Sequence, residues 1–298
     1  MGRNGGSTMR RSVLMPIVGV LAACVTPLAA GAGSGTASTS GRSATVQVSS
    51  FTLGGAKCSL IGVPSAESTL PVGVGTCPGV RPGGELRSDF GQCTLNFLFK
   101  TPEGERYIGT AGHCILGEGP VADSAGEKTW PKGQGPAATD PDGKRFGEFA
   151  YAVLQDPKDF ALIRLDPGVE ASPEMCNYGG PTGINDDISG DPTVLQYFGN
   201  GIAIGTALPA RSAVAMGLPH ADHVYAAGVA LPGDSGSAVI SQDGRAVGVL
   251  VTVGIHGFGI DESGGIDFGT VGITRIVPQM KRAAEALGIQ LSMVTVGK

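Results

Sequence analysis

Three residues whose side chains can together perform nucleophilic catalysis follow one another along the chain: His113 in TAGHC, Asp159 in DFALIRL and Ser235 in PGDSGSAVI. A serine hydroxyl becomes a useful nucleophile when a histidine accepts its proton, and a carboxylate keeps that histidine oriented. Taken singly, the histidine is an ordinary side chain, the aspartate a strand-end cap and GDSG a loop. In this order, they predict acyl transfer through a Ser-His-Asp triad.

The local sequence also indicates how these groups are presented. Ser235 lies between glycines, on a tight turn that leads into an apolar strand. Glycine lets the backbone turn sharply, so main-chain N–H groups point outward and the serine is exposed and rigidly held. Asp159 opens an apolar run, where a carboxylate at the mouth of a buried strand can reach inward toward the histidine.

The elements that must position these residues are mostly β-strands. Glycine (50 of 298 residues) and proline (20) punctuate short apolar runs, which points to an all-β class. The segments CTLNFLFK (93–100) and RYIGTAGHC (106–114) predict a hairpin that ends at His113. Two more strands follow at 145–154 and 159–165.

A second set of strands carries Ser235. A stretch rich in proline and glycine, 166–183, separates it from the first set. The predicted plan is two β units, about 80–172 and 184–276, followed by a short C-terminal helix over about 278–288.

The N-terminal region predicts export. Two arginines precede the apolar run 12–23, which is typical of a signal peptide within residues 1–32; a membrane anchor is the competing interpretation. Two cleavage chemistries stay open: LAAC resembles a lipobox, with the signal ending before a lipid-bearing Cys24, and AGA (30–32) resembles an ordinary cleavage site. Residues 33–79 are interpreted as a Gly/Ser/Thr-rich linker and N-terminal extension. We expect a protein that is secreted or attached to the outer face of the cell membrane.

Charge and cysteine spacing exclude several classes of function. The net charge is −5 without a basic stripe, so nucleic-acid binding has no electrostatic support. No cysteines have zinc-finger spacing, and HADH (220–223), DPDG (140–143) and NDD (185–187) are better explained as loops and turns than as metal sites. We therefore expect neither a metal nor a cofactor.

As a set, the three motifs resemble those of the trypsin/chymotrypsin-type serine endopeptidases, of the secreted bacterial kind, over about residues 80–290. The resemblance implies two packed six-stranded antiparallel β-barrels with the active site between them. It also implies that His113 is the general base, Asp159 the orienting acid and Ser235 the nucleophile, with the N–H groups of Gly233 and Ser235 forming the oxyanion hole. A monomer acting on protein or peptide substrates is expected, and residues 80–298 would form the protease domain.

The sequence departs from the family's pattern at two places. GDSGS has Ser237 where the family usually has glycine, and small residues are tolerated there. Animal relatives begin their mature chain with I-V-x-G, whose new terminus pairs with the aspartate beside the nucleophile, whereas residues 80–86 here read VRPGGEL. Asp234 is therefore expected to have a partner other than a chain terminus.

The resemblance also suggests a primary substrate pocket. Val229 stands six residues before Ser235, where trypsin-like specificity calls for a carboxylate. Thr252 and Gly254 belong to TVG, which fits the family segment that pairs with substrate backbone, and Gly254 would leave the pocket mouth open. The prediction is a preference for an uncharged, apolar residue before the scissile bond.

Five cysteines follow Cys24 and suggest a disulfide framework. Hairpin pairing can bring Cys93 and Cys114 within the roughly 4.4–6.8 Å between Cα atoms that a disulfide needs, and the resemblance implies the same bridge. A Cys77–Cys176 bridge would tie the N-terminal extension to the linker between the β units. Cys58–Cys77 and Cys58–Cys176 are the alternatives.

An alternative function from another class is a catalytically inactive, protease-like binding or surface module. The possible lipid anchor and the flexible N-terminal stretch suggest it. Such a module needs no triad, so peptide hydrolysis that is lost in Ser235→Ala distinguishes the two functions.

Overall fold

A computed structural model describes most of the chain after residue 76. The described residues are 48–53, 56–61, 77–117, 126–155, 157–176, 178–186, 194–201, 210–216, 220–253, 259–260, 266–267 and 269–296. The predicted signal peptide, Cys24 and Gly254 lie outside them, as does most of the predicted linker. Among the described helices, none combines the length and the apolar character that crossing a membrane requires.

Strands dominate the described structure, in agreement with the all-β class predicted from the sequence. An N-terminal hairpin joins β1 (Val48–Leu53) to β2 (Ala56–Ile61). The elements of the first β unit are β3 Glu85–Ser88, β4 Gly91–Thr94, β5 Leu98–Lys100, β6 Arg106–Thr110, α1 His113–Leu116, β7 Gly126–Thr129, β8 Ala137–Thr139, β9 Arg145–Gln155 and β10 Lys158–Leu165.

The second β unit and the C-terminal segment contain the remaining elements. They are β11 Val194–Phe198, β12 Ala210–Met216, β13 His223–Gly228, β14 Ala238–Ser241, β15 Ala246–Val253, β16 Gly259–Ile260, β17 Ile266–Asp267, β18 Thr270–Arg275, α2 Ile276–Leu287 and β19 Ser292–Met293. Six of these strands form a closed barrel in the order β11-β12-β13-β18-β15-β14.

The first β unit contains a sheet of nine strands, which forms the half-barrel part of the predicted two-barrel fold. Its order is β19-β5-β6-β10-β9-β8-β3-β4, and β7 pairs with β9. Strands β4 and β5 are consecutive in the chain: β4 pairs with β3 and β5 pairs with β6. Leu95, between them, exchanges main-chain hydrogen bonds of 2.8 Å with Gly83 and Gly84. The C-terminal strand β19 covers the exposed edge of β5.

Strand β10, whose second residue is Asp159, is buried on both of its faces. Phe160 and Leu162 pack into an apolar cluster that also contains residues of the second β unit, whereas Ala161 and Ile163 pack into the core of the first unit. Alternate side chains of a strand point to opposite faces, so one strand supplies both cores.

Helix α2 packs against strands of both β units. It begins at Ile276, two residues before the predicted start, and ends at Leu287, with Gly288 in the left-handed conformation that commonly terminates helices. Ile276, Gln279 and Ala283 are its buried residues. The helix contacts β9 and β10 of the first unit as well as β15 and β18 of the second.

Two disulfides lie among the described residues. Cys93 bonds to Cys114 with a Cα–Cα distance of 6.3 Å, and Cys77 bonds to Cys176 with a Cα–Cα distance of 5.5 Å. The second bridge joins the end of the predicted N-terminal extension to the segment between the β units. Next to it, Val80 forms a parallel bridge with Ala171.

Candidate active site

His113 and Asp159 are in direct contact through two bonds. The imidazole Nδ1 lies 2.6 Å from Oδ2 of Asp159, and the main-chain N–H of His113 donates to Oδ1 at 3.0 Å. Both residues are buried, with 7 % and 8 % exposure. A carboxylate at Nδ1 favours the tautomer that is protonated there, which makes Nε2 the basic nitrogen. The pair therefore has the geometry of a base and its orienting acid.

Gly112 explains the small residues that precede His113. A Cβ atom at this position would lie 2.0 Å from the carbonyl oxygen of Val153 and 3.1 Å from Oδ1 of Asp159. Any side chain would therefore displace β9 or the carboxylate. The turn from β6 into α1 can approach Asp159 this closely only because residue 112 is glycine.

The disulfide beside His113 anchors the same turn to β4. Cys114 is the second residue of α1, and Cys93 lies in β4, so the bridge connects the base to the strand that precedes the β5–β6 hairpin. The two sulfurs and an imidazole nitrogen of His113 lie within 4.8 Å of one another. Because the sulfurs are bonded to each other, they do not act as thiolate ligands for a metal.

The turn around Ser235 is compact and held from within. The N–H of Asp234 donates to the carbonyl of Leu231, and the N–H of Ser237 donates to the carbonyl of Asp234, both at 2.9 Å. Gly233 and Gly236 have φ values of +101° and +92°, which only glycine adopts without strain. The turn therefore depends on glycine on each side of the candidate nucleophile.

Ser237, the departure from the family's usual glycine, takes part in this turn. Its side chain is completely buried, and its Oγ donates to the carbonyl of Asp234 at 2.6 Å. The hydroxyl is thus satisfied within the turn, so serine is compatible with the local fold.

Contacts with the first β unit place Ser235 beside the turn that carries His113. The N–H of Thr94 donates to the carbonyl of Ser235 at 2.7 Å. A Cβ atom on Gly236 would lie 2.2 Å from the carbonyl of Thr94 and 2.4 Å from Oγ1 of Thr110, three residues before the base. The half-buried Ser235 therefore lies at the junction of the two units, where β10 also delivers Asp159.

The main-chain N–H groups of Gly233 and Ser235 remain available as donors. Within the described part of the chain, neither forms a hydrogen bond to another group. They lie on either side of Asp234 in one tight turn, which is the type of arrangement that can bind a developing oxyanion.

Asp234 is paired with Arg211, a residue that the sequence analysis did not identify. The carboxylate is completely buried, and Nη1 of Arg211 donates to Oδ2 at 2.5 Å while Nη2 donates to Oδ1. Main-chain N–H groups of Gly201 and Leu231 each donate to the carboxylate at 2.7 Å. Arg211 is the sole charged residue in 202–219, and a lone arginine in so apolar a stretch is the signal that could have found it.

Two of the three candidate pocket residues, Val229 and Thr252, lie on or next to strands that pair with β18. Val229 follows β13 and is half-buried, and its carbonyl accepts a hydrogen bond from the hydroxyl of Tyr197. Thr252 pairs with Gly272 of β18 in the β15–β18 register, and β18 pairs with β13 on its other side. Val229 and Thr252 therefore belong to neighbouring parts of the same barrel wall, and Gly254 lies outside the described residues.

The other polar motifs of the sequence form turns and surface contacts. Oδ1 of Asp140 accepts the N–H groups of Asp142 and Lys144 at 3.0 and 2.8 Å, as in a β8–β9 turn. Asp186 pairs with Arg275 at 2.7 Å, and residue 187 lies outside the described part of the chain. The rings at positions 220 and 223 stack on each other. The contacts agree with a turn at residues 140–143, whereas His223 of the HADH motif is the first residue of β13.

No protein-family model and no curated protein sequence matches this chain, whereas several solved structures do. A Nocardiopsis protease is 20% identical, aligned over 72% of this chain and 99% of its own, with a TM-score of 0.46. The Cellulomonas bogoriensis chymotrypsin is 19% identical over 73% of this chain and 99% of its own, with a TM-score of 0.46. Protease A of Thermobifida fusca is 16% identical over 72% and 99%, with a TM-score of 0.47. The three matched proteins are two proteases and a chymotrypsin, and all three alignments have identities of 20% or less and TM-scores below 0.5.

Proposed function

We propose that this protein is an exported serine endopeptidase that hydrolyses peptide bonds through Ser235, His113 and Asp159. The observation that carries the proposal is the double contact between His113 and Asp159, at 2.6 and 3.0 Å, beside a serine that a glycine-bounded turn presents. An aspartate that accepts from both Nδ1 and the main chain of one histidine orients the imidazole for proton transfer at Nε2.

The proposed reaction has two stages. Nε2 of His113 accepts the proton of the Ser235 hydroxyl as its oxygen attacks the scissile carbonyl, and the N–H groups of Gly233 and Ser235 bind the oxyanion. The protonated imidazole then gives its proton to the leaving amine, which leaves an acyl-enzyme. A water molecule, deprotonated by the same imidazole, attacks the ester carbonyl; the acyl–oxygen bond to Ser235 then breaks, and the imidazole returns the proton to the Ser235 oxygen as the acid product leaves.

The proposed substrates are proteins or peptides with an uncharged, apolar residue before the scissile bond. Support comes from Val229, since an apolar wall does not attract the side chains of lysine or arginine. Export is proposed from the apolar N-terminal run and agrees with the two disulfides, because such bridges persist outside the cytoplasm. No metal or cofactor enters the proposed reaction.

A covalent serine-directed probe tests this function directly. A fluorophosphonate is expected to label the exported protein at Ser235, with labelling abolished in Ser235→Ala and His113→Ala. Ser292→Ala and His220→Ala, which replace exposed residues without a hydrogen bond to the triad in the described part of the chain, are matched controls and should label as the wild type does. A folded wild type that neither labels nor hydrolyses a library of peptides with varied residues before the scissile bond would instead be the binding or surface module.

The same library tests the substrate preference independently of the reaction. Cleavage after apolar residues supports the assignment of Val229 to the pocket. Strict cleavage after lysine or arginine would exclude that preference while leaving the triad intact.

A further inference from the structure

Thr94, at the end of β4, is connected to several parts of the candidate site at once. It is completely buried, and each of its polar groups is used. Its N–H donates to the carbonyl of Ser235 at 2.7 Å, and its carbonyl accepts from Oγ1 of Thr110 at 2.9 Å. The main chain of Thr94 therefore joins the nucleophile turn to the turn that leads to His113.

The hydroxyl of Thr94 makes two further bonds. Oγ1 donates to the carbonyl of Gly233 at 2.7 Å and accepts from the N–H of Asn200 at 3.0 Å. A threonine hydroxyl has one hydrogen to donate, so these two bonds assign its direction. With the main-chain bond to Ser235, Thr94 holds the carbonyls of both residues whose N–H groups are the candidate oxyanion donors.

Asn200, whose N–H donates to the Thr94 hydroxyl, is itself held by two hydrogen bonds. Its carbonyl accepts from Nε2 of Gln92, and its Nδ2 donates to the carbonyl of Gly83, both at 2.5 Å. A Cβ atom on Gly233 would lie 2.8 Å from the carbonyl of Asn200, so the two segments are packed in direct contact. The Thr94 hydroxyl is therefore a short bridge between two pieces of backbone.

A glycine needs such a restraint more than other residues do. Gly233 has no side chain to limit its φ and ψ angles, so the direction of its N–H depends on the bonds that hold the neighbouring peptides. Stabilising an oxyanion requires donors that are fixed before the reaction begins. Without the hydroxyl, the carbonyl of Gly233 would be buried with one bond fewer, and its peptide would be held, within the described part of the chain, only by the bond from the N–H of Asp234 to the carbonyl of Leu231.

We propose that the Thr94 side chain is a positioning residue for oxyanion stabilisation. It acts through Gly233 and does not touch the substrate. This inference rests on the proposed serine-protease function and adds a residue from the first β unit to a site whose nucleophile lies in the second.

The experiment compares variants that differ by the hydroxyl. Thr94→Val removes Oγ1 and keeps the shape, and Thr94→Ser keeps Oγ. Thr101→Val is the matched control, because Thr101 is also a buried threonine of the first unit and its Oγ1 has no hydrogen-bond partner among the described residues. If Thr94→Val does not fold, Thr94→Ala is compared with Thr94→Ser, from which it differs by one oxygen.

Two ligands separate positioning from general damage. A peptide aldehyde forms a tetrahedral adduct whose oxygen needs the oxyanion donors, whereas the corresponding unreactive peptide alcohol binds without them. We expect Thr94→Val to lower kcat and aldehyde affinity by about 10- to 100-fold, somewhat less than the loss of a direct donor. KM, affinity for the alcohol and the rates of Thr94→Ser and Thr101→Val should stay close to wild type.

The outcomes distinguish this inference from the proposed function. An active wild type with an unaffected Thr94→Val variant overturns the positioning role alone. Equal losses for aldehyde and alcohol also overturn it, because the defect would then be structural. A wild type that shows no serine-dependent activity overturns the proposed function, and this inference fails with it.

Discussion

Arg211 holds the buried carboxylate of Asp234 with both of its terminal nitrogens while its guanidinium lies over the ring of Tyr197, 5.4 Å from the centroid. Tyr197 in turn donates its hydroxyl to the carbonyl of Val229. One arginine on β12 is thereby connected to the nucleophile turn on one side and to the candidate substrate pocket on the other. Asp234 therefore has a partner other than a chain terminus, as residues 80–86 led us to expect.

Replacing Arg211 should therefore both destabilise the fold and impair the site. Arg211→Met leaves the carboxylate of Asp234 buried without its cation, which is expected to cost about 3–5 kcal/mol of unfolding free energy. Denaturant unfolding measures that loss, and active-site titration measures the competent fraction. Arg245→Met, at an exposed arginine, is the control and should change neither. A fully active, equally stable Arg211→Met variant would contradict the role of the pair.

Gly112→Ala tests the close approach of the His113 turn to β9. The new Cβ would lie 2.0 Å from the carbonyl of Val153, so the backbone must shift. Strain of this kind typically costs about 1–3 kcal/mol, and the displacement of Asp159 should also lower kcat. Gly183→Ala is the matched control, since its nearest neighbour would be 3.6 Å away. Equal melting temperatures for the two variants would count against this packing.

Asp159→Asn tests whether the carboxylate sets the tautomer of His113 or merely packs against the imidazole. An amide nitrogen facing Nδ1 favours the tautomer with the proton on Nε2, which is unable to accept the proton of Ser235. We expect kcat to fall by about 10⁴-fold with little change in stability. Asp186→Asn, at an exposed surface pair, should retain full activity. Activity within a few fold of wild type in Asp159→Asn would remove this residue from the proposed triad.

The proposed role of a histidine base predicts how activity depends on pH. Only a neutral imidazole accepts a proton, and histidine side chains ordinarily lose theirs near pH 6.5, to within about one unit. We expect kcat/KM to rise from acid toward neutral pH and then level off. The measurement is a pH–rate profile at low substrate, with folding checked at each pH. Undiminished activity of the folded protein at pH 4 is incompatible with His113 as the base.

Glu148 should make the fold less stable in acid. The N–H of Gly133, at 2.7 Å, and then Arg164, at 2.9 Å, hold the pKa of this buried carboxyl below its ordinary value of 4.5. The unfolded chain therefore binds the proton more readily, so this stabilisation is complete above about pH 4.5 and is lost as pH falls through the lower folded pKa.

Thermal unfolding of Glu148→Gln against pH measures this contribution. The variant should be less stable than wild type at neutral pH by about 1–3 kcal/mol, and the two curves should converge as pH falls through the lowered folded pKa of Glu148. Glu285→Gln, on the exposed face of α2, should follow the wild-type curve throughout. A difference between Glu148→Gln and wild type that stays constant down to pH 2 would show that the carboxylate charge is not responsible.

Local patterns predicted the fold class and the residues of the candidate site. Alternating apolar runs between glycine and proline turns are enough for an all-β class, because strand and turn preferences act over a few neighbours. The close contact of His113 with Asp159 agrees with the motifs, since each motif contains the glycines or the strand end that its own turn needs. The catalytic roles, the substrate preference and the signal peptide stay predictions.

Long-range contacts decided what the sequence alone did not reveal. The partner of Asp234 is 23 residues away on another strand, and the hydroxyl of Thr94 meets a carbonyl 139 residues further along the chain. The nine-stranded sheet likewise includes β19, whose Ser292 bonds to a carbonyl 192 residues earlier. The glycines around His113 and Ser235 are required by the local backbone geometry of their turns, so the sequence alone indicates them. The hydrogen-bond partners of Asp234 and of the Gly233 carbonyl depend on tertiary packing, because a buried charge or carbonyl takes the partner that the fold brings within hydrogen-bonding distance.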